Sequence, residues 1–196
     1  VKKVQKCHFI RYGVFCFSLI LAGCSGPPQD RVLISDTYLN KEEKNYKSLL
    51  LVYAGTAIDR IMLDNLSEEL KVKLEKKGVV VFNEFLSDQK SRTGKYVAGL
   101  ANERNVDAVL EIIPLGGATV GEYYRSHPGF ETRQAKANQR YSLLLYDIVS
   151  QEKPVWGCRL NLYITIDRAN PYSTIAAKII ERLQQNAIWS DQIISK

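Results

Sequence analysis

Two histidines, four cysteines and one methionine in 196 residues leave little from which to build a reaction centre. Metal sites need three or four converging His, Cys, Asp or Glu ligands, so a thiolate or imidazole cluster is hard to assemble from this set. No P-loop, no dinucleotide-binding glycine fingerprint and no G-x-S-x-G elbow occurs. Gly116-Gly117 follows an apolar run but precedes no helix, which removes the usual phosphate cradle. The apolar stretch near the start, Gly13 to Leu21, is far below the ~20 residues needed to cross a bilayer.

What the start does contain is ordered by charge. Lys2, Lys3, Lys6 and Arg11 come first, with no acid among them; the apolar stretch follows, then Leu21-Ala22-Gly23-Cys24, then the polar Ser25-Gly26-Pro27-Pro28-Gln29-Asp30. A basic segment, a brief apolar one and small residues before a cut describe an export signal. Leu21-Ala22-Gly23-Cys24 resembles the lipobox of bacterial lipoproteins at every position. The resemblance implies a diacylglyceryl group on the Cys24 sulfur, cleavage after Gly23 and an acyl chain on the new amine. One acyl chain holds a protein only marginally to a bilayer, whereas two or more anchor it. Ser25 stands where an Asp would retain an enterobacterial lipoprotein at the inner membrane, so the resemblance implies the outer membrane, facing the periplasm. The expected organisation is a signal over residues 1–23, a lipidated tether over 24–46, and one α/β domain over 47–196 with an insertion at 116–139. The lipid on Cys24 is the one covalent group expected, with no metal and no cofactor.

Removing the signal changes the charge. Four of the 27 basic residues and none of the 21 acids lie in it, so the formal charge falls from +6 to +2. The basicity belongs mainly to the signal and gives no support for nucleic acid as a partner. Cys7 and Cys16 leave with the signal, and Cys24 would be consumed by lipid. Cys158 is then the one free thiol, read as a buried, inert strand residue.

Along the remaining chain, Ser48 to Tyr53 and Val79 to Phe82 read as strands buried on both faces, as does Ala108 to Ile113. Between the first two, Ile58, Met62, Leu66, Leu70 and Leu74 recur every fourth residue, an amphipathic helix stopped by Gly78. Tyr96, Val97, Leu100 and Ala101 mark a shorter helix ending near Asn105. Strand–helix–strand–helix–strand calls for parallel pairing. Residues 25–46 read as a tether with at most a short extended piece at Val32-Leu33-Ile34. Tyr141 to Ile148 and Val155 to Ile164 form a hairpin around Ser150-Gln151-Glu152-Lys153, and Pro171 opens a last helix with Ile175, Ala176, Ile179, Ile180, Leu183 and Ala187 inward. The expected class is a mixed α/β fold in the order βαβαβββα, one mixed five-stranded sheet packed by helices.

The hairpin from Leu143 to Trp156, a strand ending in Asp147, a short turn, Lys153, and then Val155-Trp156, is similar to one found in periplasmic lipoproteins of the DUF4136 type and in domains of the curli-secretion and Tol-accessory kind. The resemblance implies an envelope-associated, non-catalytic domain with this strand–helix order. It offers no catalytic residues.

The chemistry that remains is sparse. His127 is the one histidine after the signal. A Cys158–His127 nucleophile pair is conceivable on residue type, although one reads as strand interior and the other as loop. Glu42-Glu43 and Glu68-Glu69 read as solvated tether and helix face, and Asp147 and Asp167 as strand-end residues bonding turn backbone. Trp189 reads either as a cap on the core or as a partner contact. The most informative stretch is 116–133, a long loop concentrating Tyr123, Tyr124, Arg125, Phe130 and Arg133. Loops this long inside compact domains tend to be functional, and aromatics with Arg supply binding hot spots. Two readings stay open: a contact surface, or a hairpin extension whose tyrosines pack back on the sheet. The function expected is a lipid-anchored, non-catalytic binding or assembly module with an envelope protein as partner; the alternative is a small-ligand or lipid-handling subunit with a cleft.

Overall fold

The computed structural model describes residues 31–39, 44–86, 94–116, 119–127, 130–149, 153–165 and 171–186, with side chains at all of these except 31, 58, 119–137 and 165. Cys24, Asp167, Ala187 and Trp189 therefore lie outside the described residues, as does the Ile58 side chain.

The parallel half follows from the apolar runs. β2 (Ser48–Ala54) pairs in parallel with β3 (Val80–Leu86) on one side and with β4 (Ala108–Pro114) on the other. Every residue of β2 after Ser48 is buried, because helices cover both faces of this strand. Leu49, Leu51 and Tyr53 face α1 (Ala57–Glu75) and α3 (Pro171–Gln185), in the larger of two cores. Leu50, Val52 and Ala54 face α2 (Gly94–Glu103) with Val97, Ala101 and Val109, in the smaller core. Each such leucine contributes roughly 1.5–3 kcal/mol relative to exposure.

The ends of α1 explain its length. Thr56 caps the N-terminus: its hydroxyl accepts from the Asp59 backbone N–H at 3.3 Å, and the Asp59 carboxylate accepts from the Thr56 N–H at 2.9 Å. This reciprocal box satisfies two of the otherwise orphaned amides. A Cβ on Gly55 would lie 2.5 Å from the Asp59 Cβ, so the residue before the cap must be glycine. At the other end Gly78 takes φ 81°, the left-handed conformation that glycine adopts freely, and the Val79 N–H closes onto the Leu74 carbonyl at 3.1 Å.

The sheet has seven described strands where five were expected, the two additional ones in its antiparallel half, although the class is the one expected. The sheet order is β1 (Arg31–Leu39), β7 (Trp156–Thr165), β6 (Phe130–Asp147), β4, β2 and β3, with β5 (Thr119–His127) beside β6. β6 (Phe130–Asp147) and β7 (Trp156–Thr165) form the anticipated hairpin, but β6 starts eleven residues before Tyr141. The insertion expected over 116–139, read either as a contact loop or as a hairpin extension, contains β5 (Thr119–His127) and the first part of β6, paired antiparallel from Thr119↔Asn138 to His127↔Phe130. β4 and β5 lie in succession along the same side of β6. β4 ends opposite Tyr141 and β5 starts opposite Asn138, and the Leu115 N–H donates to the Arg140 carbonyl at 2.7 Å.

Part of the stretch expected as a tether over 24–46, with at most a short extended piece at Val32-Leu33-Ile34, is a longer strand. β1 (Arg31–Leu39) is a nine-residue edge strand, antiparallel to β7 from Arg31↔Tyr163 to Leu39↔Trp156, with a register shift between Asp36 and Tyr38. Val32 and Ile34 pack on the larger core, and Arg182 of α3 forms an ion pair with Asp36. Its alternating pattern is that of a strand with one face buried. Since Tyr163 in turn faces Asn138, the start of β1, the end of β7 and the root of the β5–β6 ribbon share one end of the sheet.

Residues just before β2 belong to the domain too. Tyr46 is buried, and its hydroxyl donates to Asp147 at 3.3 Å, while the Lys44 ammonium meets the same carboxylate at 2.8 Å. The Val149 N–H donates to the other oxygen at 2.7 Å, the turn role anticipated for Asp147. Burial opposes the charged form of Asp147, but these donors outweigh it and hold the carboxyl below the ordinary aspartate value. The stabilisation is therefore present above the unfolded-state value and is lost as pH falls through the lower folded value. Asp147→Asn should cost about 1–3 kcal/mol at pH 7. In urea titrations across pH, the gap to wild type should narrow below about pH 4; a gap independent of pH would assign the loss to packing instead.

Candidate functional site

The structure places the five candidate contact residues on one ribbon. Tyr123, Tyr124 and Arg125 lie in β5, and Phe130 and Arg133 lie in β6. Tyr124 is the register partner of Arg133, and Tyr123 and Arg125 stand opposite Gln134 and Thr132. The pairing of β6 with β7 ends at Lys136↔Thr165. Over residues 130–135, β6 has β5 on one side and, among the described strands, none on the other. The paired backbone thus runs about 20 Å past the end of β7 at 3.4 Å per residue. A strand edge of this kind offers unmatched N–H and C=O groups to an incoming strand.

The Cys158–His127 pair does not form. His127 ends β5 opposite Phe130, whereas Cys158 faces Leu143, thirteen residues further along β6. That is about 40 Å of extended strand. Cys158 is buried, and burial, with the nearby Asp36 charge, pushes its thiol up to about 12, leaving it protonated and inert.

A second feature is a cleft of the kind named in the alternative reading, although its residues were not singled out. α2 covers β2, β3 and β4 but stops short of β6, leaving a cleft of about 760 Å³ along its flank. Its floor is Val109 and Glu111 of β4 with Tyr146 of β6 and Ile148 just after that strand, and its wall is the side of α2. The gap exists because α2 presents small residues there. Gly94, Ala98 and Asn102 recur at helical spacing, and a Cβ on Gly94 or Gly99 would meet nothing within 4 Å. The volume falls within the ~300–1,000 Å³ of small-molecule sites.

Glu111 is the unusual element of this floor. It interrupts an otherwise apolar strand, is half-buried, and among the described residues has no cation or hydrogen-bond donor on its carboxylate. Burial alone pushes its carboxyl above the ordinary glutamate value. Tyr146 is pushed up as well, first by burial and then by the Glu111 charge. In the sequence, the signal for this site was a single acid inside Ala108-Val109-Leu110-Glu111-Ile112-Ile113; what the sequence did not show was the thin helix beside it. No group of three or more His, Cys, Asp or Glu capable of holding a metal occurs among the described residues, and no described helix is long and apolar enough to cross a membrane.

No family model matches the chain, and no curated protein matches it. In solved structures the chain is similar to the PelC dodecamer protein from Paraburkholderia phytofirmans, at 12% identity over 83% of this chain and 99% of that one, with a TM-score of 0.45. It is also similar to a minor lipoprotein from Acinetobacter baumannii, at 14% identity over 74% of this chain and 97% of that one, with a TM-score of 0.36. At these values the likeness is one of chain course and carries nothing about activity.

A desolvated acid makes a testable contribution to stability. The folded state holds the Glu111 proton to higher pH than the unfolded chain does, so stability falls as pH rises through that window and the penalty is complete above it. Glu111→Gln should therefore raise stability by roughly 1 kcal/mol at pH 7, and the difference should fade below about pH 4. Thermal denaturation at both pH values reads this directly; a destabilised Gln variant at pH 7 would mean that the carboxylate has a partner.

Proposed function

We propose that the protein is an envelope lipoprotein, held to the outer membrane by acyl chains on Cys24 and facing the periplasm, whose domain works as a non-catalytic binding and assembly module. The observation that carries the reading is the β5–β6 ribbon, which extends past its neighbours and leaves backbone edges unmatched among the described strands. On this reading Tyr123, Tyr124, Arg125, Phe130 and Arg133 form the contact with another envelope protein. Strand addition along an open edge supplies main-chain hydrogen bonds for affinity, while side chains at alternate positions supply selectivity. Aromatic and Arg side chains suit that surface because they bury much area and still satisfy polar ends. Lipidation rests on the basic start, the short apolar stretch and Leu21-Ala22-Gly23-Cys24.

Two measurements test the two parts separately. Cys24→Ala should move the protein from the membrane pellet to the soluble fraction in cells, and native mass spectrometry should find the acyl mass on wild type alone; membrane retention of the variant would reject the anchor. A photo-crosslinking residue at position 134 in intact cells should give one discrete adduct. Adding Tyr124→Ala and Arg125→Ala should remove that adduct without lowering the melting temperature. An adduct of unchanged yield would reject the ribbon as the contact.

A further inference from the structure

We propose that the cleft between α2 and the end of β6 is a binding site for a small organic amine with an apolar body, its ammonium group received by Glu111. This proposal does not depend on the lipid anchor or on the ribbon.

Three observations converge on it. The first is shape: an open space of about 760 Å³ is kept by a helix whose flank carries Gly94, Ala98 and Gly99 rather than larger side chains. Glycine in a helix interior costs stability relative to alanine. At Gly99 no neighbouring atom lies within 4 Å of where a Cβ would be, so packing does not demand the glycine. The second is charge. Glu111 is half-buried on β4 with no cation or donor paired to it among the described residues. Its carboxylate opens on the cleft and is only partly shielded from water, so a ligand cation placed there meets it in a site less screened than the open surface. Burial holds the carboxyl above its ordinary value, as expected for a group awaiting a counter-charge. The third is the composition of the floor. Val109 and Ile148 offer apolar contact and Tyr146 an aromatic ring with a hydroxyl, next to the single acid. An ammonium on an aromatic or aliphatic skeleton matches this pattern: the cation meets Glu111, the ring of Tyr146 can face it, and the skeleton covers the valine and isoleucine. Lys95, on the exposed first turn of α2, stands at the rim and disfavours a second positive charge on the ligand.

The experiment uses the full chain in detergent and three probes of matched skeleton. These are 2-phenylethylamine, neutral 2-phenylethanol and anionic 3-phenylpropionate, titrated by calorimetry at pH 7.5. The expected result is binding of the amine, with the alcohol at least about tenfold weaker and the acid weaker still. Glu111→Gln should weaken the amine by about tenfold or more while leaving the alcohol unchanged. Gly99→Leu should abolish binding of both by filling the cleft, with no loss of melting temperature. Two results overturn the proposal: no heat from the amine at millimolar concentration, or equal amine affinity in wild type and Glu111→Gln. Should Glu111→Gln fail to fold, Gly99→Leu together with the amine-to-alcohol ratio in wild type still decides the matter: amine binding that survives Gly99→Leu, or a ratio near one, rejects the site.

Discussion

The backbone ladder along β6 is the interaction on which the rest of this structure depends. Eighteen residues in one strand pair with β4 over 141–147, with β5 over 130–138 and with β7 over 136–145. β6 thereby fuses two halves of different character. On one side is the parallel β3-β2-β4 group, covered on both faces by helices. On the other is the antiparallel β7-β1 pair, which has α3 on one face. Because side chains alternate strictly along a strand, one register fixes both faces at once. Tyr141, Leu143 and Leu145 must enter the larger core, so Tyr146 and Ile148 must enter the α2 side, where the cleft is. A slip of one residue would exchange the two sets and bury Arg140 and Ser142 in place of Tyr141 and Leu143.

The two polar features of the sheet have opposite characters. Asp147 is buried with Lys44, the Tyr46 hydroxyl and the Val149 amide around it, and the group ties the segment before β2 to the end of β6. It is a satisfied structural acid. Glu111, three residues into the central strand β4, has no such partners among the described residues and sits half-buried beside open space. The contrast between these two acids, on adjacent strands, is what marks the cleft as more than loose packing.

Much of the fold was legible in the sequence because burial leaves a pattern. β2 lies beneath helices on both faces and therefore reads as an unbroken apolar run, as β4 does apart from Glu111; α1 and α3 bury one stripe each and read with helical spacing. Three features were not legible. β1 is an edge strand whose partner begins more than a hundred residues later, and its alternation is short and adjoins charged residues, so it resembled a tether. The run from Glu131 to Arg140 is mostly polar and lacks the apolar alternation of a half-buried strand, so it read as loop or hairpin extension; it is a strand. The cleft depends on what α2 lacks, and a gap beside a helix is a tertiary property that glycine spacing alone does not announce. The candidate residues 123–133 were gathered by composition, and the structure supplied their pairing.

The shared end of the sheet, where β1 begins and the ribbon is rooted, has a bearing on how a contact would be made. Six residues separate Cys24 from Arg31, a contour of about 20 Å at full stretch. Under the anchor we propose, the search for a partner that is itself membrane-bound becomes a search in two dimensions. Confinement of that kind raises effective concentration steeply, so an individually feeble strand-to-strand contact would suffice, and it could be made and broken quickly while neither molecule leaves the surface.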